Sequence, residues 1–123
     1  MNSQESVLIT GGAGFIGHHL INYILKNTDY NIISLDRIDT SCSLSRLQDI
    51  IQSNPEWRNR IKVVWHDLKS PINKHVARQI GPVDYILHLA AGSHVDRSFA
   101  NPVGFVMDNF LGTTNLLEYA RED

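Results

Sequence analysis

Three observations predict an α/β fold, a parallel sheet with helices on both faces. Short apolar runs alternate with stretches of helical periodicity. Each run stops at a glycine or a polar residue, as buried parallel strands do. Glycines at positions 11, 12, 14 and 17 separate the first apolar run from the first helical stretch. Right-handed crossovers between successive strands then give the order 3-2-1-4.

Val7 to Thr10 (VLIT) is the first strand. Behind the glycines, Phe15, Ile16, Leu20, Ile21, Ile24 and Leu25 recur at helical spacing, which predicts a helix from about Gly14 to Lys26. Asn31 to Leu35 (NIISL) is the second strand, closed by Asp36. Ser45 to Ser53 suits a helix with Leu47, Ile50 and Ile51 inward, stopped before Pro55. Ile61 to Trp65 (IKVVW) is the third strand and ends at His66 and Asp67. Lys74 to Ile80 is a short helix closed by Gly81 and Pro82. Tyr85 to Leu89 (YILHL) is the fourth strand and leads into AAGSHVDRS. Pro102 to Arg121 is a long final helix, with Asn101 at its cap and Pro102 at its first position.

The chain has 123 residues, 42% hydrophobic and 20% charged, the composition of a single globular domain. A net charge of -2 and scattered Lys and Arg argue against a nucleic-acid partner. No apolar run approaches the roughly 20 residues of a membrane span. The start, MNSQES, lacks a cationic, apolar signal, and the single Cys42 suits a reducing compartment, so a cytoplasmic location is expected. Cys42 lies in a polar stretch without an activating base, which argues against a nucleophile. The six histidines show no metal-ligand spacing and read as core or loop residues; His18 and His19, adjacent on a helix, are expected to point apart.

TGGAGFIG, residues 10 to 17, carries glycines at Gly11, Gly14 and Gly17 and spells G-x-G-x-x-G from Gly12. Between a strand and a helix this is the fingerprint of a Rossmann-type dinucleotide loop, where free N–H groups of the helix start meet a pyrophosphate. Asp36 ends the next strand about 20 residues on, where an acidic group binds ribose hydroxyls and favours NAD over NADP. Arg37 beside it softens that preference. Asp67 has two readings, an acceptor for the adenine amino group or a cap for the following segment. In HLAAGSHVDRS, residues 88 to 98, small residues and a dense polar set at a strand end suggest ligand contact; the alternative is a surface loop stapled by Asp96 and Arg97.

TGGAGFIG, Asp36, the HD at 66 and 67, HLAAGSHVDRS and DNFLGTTNLLEYAR at 108 to 121 together resemble the extended short-chain dehydrogenase/reductase (NAD-dependent epimerase/dehydratase) superfamily. SHVDRS is most similar to the nucleotide-sugar 4,6-dehydratases within it. The resemblance covers essentially the whole chain. It implies Phe15 and Ile16 at the pyrophosphate, Asp36 at the adenosine ribose, and Asp67 with Leu68 at the adenine. It also implies Leu89, Ala90, Ala91 and Ser93 on the nicotinamide side, with Ser93 and His94 facing the sugar of a nucleotide-sugar substrate. The chain departs from the family at Gly92, often Glu or Gln, and at Asp108, often a small hydroxyl residue, which puts an extra negative charge near the cofactor.

The family oxidises the sugar C4 hydroxyl with NAD, eliminates water across C5 and C6, and returns the hydride. Its base is the tyrosine of a Y-x-x-x-K pair, and no such pair occurs in these 123 residues. By the resemblance, that pair lies on a fifth strand and the next helix, so the expectation is a sheet truncated before its fifth strand, with no catalytic residue of its own. The final helix has two apolar stripes. Val103, Val106, Met107, Phe110 and Leu117 form one, and Phe105, Leu116 and Tyr119 form the other. One covers the sheet; the other, with the open edge of the fourth strand, predicts a homo-oligomer, as the family's helical bundle implies. Three functions stay open: the cofactor portion of a dehydratase (or of a sugar epimerase or decarboxylase), a stand-alone NAD module that needs a partner chain, and an oligomerising remnant that binds nothing.

Overall fold

The structure is a computed structural model and describes residues 4–37, 44–90 and 102–122. Its elements are β1 (Ser6–Thr10), α1 (Phe15–Asn27), β2 (Asn31–Asp36), α2 (Leu44–Ser53), a 3-10 helix (Pro55–Arg60), β3 (Ile61–Trp65), α3 (Lys74–Ile80), β4 (Tyr85–His88) and α4 (Pro102–Glu122). All strand pairs are parallel and the order is β3-β2-β1-β4, as the alternation predicts.

Strand side chains alternate between two layers. Val7, Ile9 and Ile32 pack with Ile21, Ile24 and Leu25 of α1 and Leu47 and Ile50 of α2. Leu8, Ile33, Leu35 and Val64 pack with Val76 and Ile80 of α3 and Leu116 and Tyr119 of α4. The central strands are therefore apolar on both faces, which is why VLIT and NIISL read as unbroken runs. Each fully buried Leu or Ile here contributes about 2 kcal/mol. Ile51 is only half-buried, at the margin of α2's inner face.

Element ends follow from hydrogen bonds. Asn73 caps α3 through its side-chain oxygen, which accepts the Val76 N–H at 2.9 Å. Gly81 closes that helix at φ 78°, where a Cβ is disfavoured, and its N–H donates to Ala77 O. Arg60 was not singled out by the sequence pattern, nor was the 3-10 helix it ends. Its guanidinium donates to the carbonyls of Leu25, Thr28 and Tyr30, satisfying the end of α1 and the turn into β2. Its only signal is Pro55, which starts a helical turn as readily as it ends one.

The second apolar stripe of α4 is real. Leu116 and Tyr119 are buried, whereas Val103, Val106, Phe110 and Leu117 are 61 to 73% exposed. The side chains of Phe105 and Met107 lie outside the described residues. β4 pairs with β1, and among the described residues no strand pairs with its other edge, where Tyr85 and Leu87 are exposed. No described helix is long and apolar enough to cross a membrane.

Candidate functional site

The C-terminal ends of β1, β2 and β4 converge on the glycine loop. Gly11 turns at φ 76°, its N–H donates to Leu35 O at 2.9 Å, and its carbonyl accepts the Gly14 N–H at 3.0 Å. A Cβ on Gly11 would stand 3.0 Å from Ala90 N, so the loop also packs against the end of β4. A Cβ on Gly17 would collide with the carbonyl oxygen of Gly11, so α1 can start this close to the loop only with glycine there.

Gly14 caps α1 in an extended conformation, without a side-chain cap. The first intrahelical bond is His18 N–H to Gly14 O, so the N–H groups of Phe15, Ile16 and Gly17 precede the ladder. No acidic residue occupies this first turn, whose positive end suits an anion. Phe15 and Ile16, expected at the pyrophosphate, are 67% and 71% exposed. They sit one turn before the buried stripe and flank the free N–H groups. His18 and His19 do not point apart: their ring centroids are 4.0 Å apart. Helical side chains lean back toward the N-terminus, and both rings meet Phe15, three and four residues earlier.

Asp36 is buried at 4% exposure. One carboxylate oxygen accepts the Ala13 N–H at 3.0 Å and the other the Ser34 hydroxyl at 2.6 Å. The Ala13 carbonyl in turn accepts from Arg46 of α2 at 3.1 Å. Asp36 thus holds the middle of the glycine loop, a role that neither Ser34 nor Arg46 announced in the sequence. Arg37 is half-buried at the same strand end.

Asp67 faces its own turn. It accepts the Lys69 N–H at 3.0 Å and lies 3.8 Å from the Lys69 ammonium, so it caps a turn, while Asn73 caps the next helix. Leu68 buries its side chain in the core, and its carbonyl accepts from Asn115 of α4 at 2.6 Å. Leu89 is 37% exposed, and Ala90 packs against the α3–α4 core. Leu89 does not extend β4. The Leu89 N–H is shared between the Thr10 carbonyl at 3.1 Å and Thr10 Oγ1 at 3.0 Å, the Ala90 N–H donates to Thr10 Oγ1 at 3.1 Å, and the strand ends at His88. Ala91, Gly92, Ser93, His94, Asp96 and Arg97 lie outside the described residues, as does the side chain of Asp108.

The site is therefore a helix start with free N–H groups, a buried carboxylate on one side and the end of β4 on the other. The sequence profile of the family described as GDP-mannose 4,6 dehydratase matches residues 8–123. The chain belongs to this family. It is 40% identical over 117 residues to a dTDP-glucose 4,6-dehydratase of Salmonella typhimurium, covering 94% of this chain and 31% of that one. A dTDP-glucose 4,6-dehydratase of Bacillus anthracis, solved in complex with NAD, superposes with a TM-score of 0.74 at 28% identity, over 96% of this chain and 34% of that one. A UDP-N-acetylglucosamine 4-epimerase from Methanobrevibacter ruminantium M1, in complex with UDP-N-acetylmuramic acid, superposes with a TM-score of 0.70 at 26% identity, over 94% and 34%. The chain thus spans about a third of the length of these relatives.

Proposed function

We propose that this chain is the NAD-binding portion of a nucleotide-sugar 4,6-dehydratase-like enzyme. The observation that carries the reading is the exposed start of α1, where three N–H groups open beside a glycine turn and a buried Asp36. Such a terminus suits the pyrophosphate of a dinucleotide. Gly12 and Gly14 supply main chain to it, with Phe15 and Ile16 flanking. Asp36 would meet the adenosine ribose at the end of β2, and Arg37 lies beside it. The turn at Asp67 and Leu68 borders the adenine. Leu89, Ala90, Ala91 and Ser93 form the nicotinamide wall, near Asp108, and Ser93 with His94 faces the sugar.

When bound, NAD would supply the acceptor for a hydride from C4 of the sugar. The 123 residues bind and orient; without a Y-x-x-x-K pair they offer no base within reach of the C4 hydroxyl proton. The chain alone is thus expected to bind NAD without turning it over, in the cytoplasm and as a homo-oligomer through α4 and the β4 edge. The epimerase likeness favours a second reading, the same cofactor portion of a nucleotide-sugar epimerase.

A melting titration with NAD, and NADP as control, tests this. At about 100 times the dissociation constant a ligand adds roughly 2.7 kcal/mol of stability, equivalent to a rise on the order of 10 °C in the melting temperature. A rise with NAD and little with NADP supports Asp36 at the ribose. No rise with either removes the cofactor reading for this chain.

A further inference from the structure

His88 closes β4 between two hydroxyls. Its Nδ1 lies 2.6 Å from Thr10 Oγ1 on β1, and its Nε2 lies 2.9 Å from Thr113 Oγ1 on α4. The same Thr10 oxygen accepts the Ala90 N–H and shares the Leu89 N–H with the Thr10 carbonyl. A hydroxyl has two acceptor lone pairs and one proton. With its oxygen engaged by the Ala90 N–H and the shared Leu89 N–H, Thr10 offers its proton, and it donates that proton to Nδ1. The ring proton is therefore on Nε2, which donates to Thr113. One neutral tautomer satisfies every group in the chain from Leu89 and Ala90 to α4.

The imidazolium does not fit. Its Nδ1–H would face the Thr10 hydroxyl proton and an oxygen that already accepts the Ala90 N–H, so the ring or the Leu89–Ala90 segment would have to move. Ala90 N is also the atom that a Cβ on Gly11 would meet at 3.0 Å, so such a shift reaches the glycine loop. We propose that His88 is a positioning residue: in its neutral form it ties Leu89–Ala90 to α4, and protonation of this ring loosens the segment and weakens NAD binding. The effect on NAD rests on the reading of Leu89–Ala90 as cofactor wall; the tie itself does not.

Among the described residues, the side chains bonded to the ring are Thr10 from β1 and Thr113 from α4. The acidic residues flanking Thr113 on α4 are Asp108, whose side chain lies outside the described residues, and Glu118, which is exposed and paired with Arg121 at 2.6 Å. Burial pushes the His88 ring below its ordinary value of 6.5. The unfolded chain then takes up the proton first, so the stability contributed by the neutral ring is whole above about pH 6.5 and is lost as pH falls toward the folded value.

The test uses the full chain labelled with 15N. Ring and amide spectra are followed from about pH 7.5 down to about pH 5, with NAD affinity measured by calorimetry at both ends. The expected result is a His88 ring protonated on Nε2 alone at neutral pH, titrating below 6.5. The Leu89 and Ala90 amides should shift with the same midpoint, and NAD binding should weaken about tenfold at the acidic end, the equivalent of one buried hydrogen-bond partner lost. Thr113→Val should weaken NAD binding by a similar factor at neutral pH, and Thr113→Ser should restore it. A ring protonated on Nδ1 at neutral pH, or Leu89 and Ala90 amides indifferent to the His88 midpoint, overturns the proposal. If NAD fails to bind at any pH while the ring and amide signatures hold, the cofactor reading falls and the tie to α4 stands.

Discussion

β2 and β4 are both short, apolar, parallel strands that end at the same loop, yet one is sealed and the other open. β2 lies between β1 and β3, and every residue from Ile32 to Asp36 is buried. β4 pairs with β1 and shows alternate exposed residues. The difference divides the site. The β2 side carries its own support: Asp36 grips the Ala13 N–H and the Ser34 hydroxyl, and Arg46 reaches the Ala13 carbonyl. The β4 side is held to β1 through Thr10 and to α4 through one ring, His88, and α4 itself leaves a row of large apolar residues uncovered. Preorganisation is strong where the adenosine half would lie and conditional where the nicotinamide half would lie.

The largest effect should come from breaking the sealed side. In Gly17→Ala the new Cβ meets backbone atoms of Gly11 and Gly12, which cannot swing aside as a side chain could. Urea unfolding should show a loss of about 3 kcal/mol, the upper range for overpacking. An unchanged midpoint would mean that the loop yields and is less rigid than its hydrogen bonds suggest.

Asp36→Ala comes next. It leaves the buried Ala13 N–H and Ser34 hydroxyl without their acceptor, a loss of about 2 kcal/mol in the chain without ligand. If the carboxylate served only a ribose, the ligand-free stability would not change. A loss in both stability and NAD affinity assigns it both duties.

Much of the sealed side was legible in the sequence. Apolar runs ending at glycine or Asp36 marked the strands, and the order 3-2-1-4 follows from handedness alone. The internal duty of Asp36 was not legible, because its partners are the Ala13 N–H, which any residue carries, and Ser34, one buried hydroxyl inside an apolar run. Arg60 escaped for the same reason: it bonds only main-chain carbonyls, and those leave no mark on residue type. On the open side, the double stripe of α4 was legible in full for the described residues. The tie through His88 was not, since His88, Thr10 and Thr113 are up to 103 positions apart and share no pattern.

A change on the open side should leave folding nearly untouched. Phe110→Glu puts a charge on a residue 69% exposed, so stability should stay within about 0.5 kcal/mol. Sedimentation velocity should nevertheless show the homo-oligomer expected of this chain dissociating to monomer. A variant that sediments like the original chain would place self-association elsewhere, leaving the α4 stripe for another partner.

The smallest effect probes the free edge of β4 at Tyr85. The neighbouring Glu5 carboxylate, through a hydrogen bond and its charge, pushes the Tyr85 phenol up from 10 to about 12. A raised value favours the protonated form in the folded chain, so this contact contributes below about pH 10 and is lost as pH rises through about 12. In an ultraviolet titration of the phenolate band, Glu5→Gln should bring one late-ionising tyrosine back toward 10. Glu5 precedes β1 and Tyr85 opens β4, so the shift reads whether the start of the open strand is pinned to its one described neighbour. The backbone and side chain of Asp84 already bond Ser6 there, at 2.9 and 2.8 Å. An unmoved midpoint would mean that Asp84 and the ladder to β1 fix the start of β4 without help from Glu5.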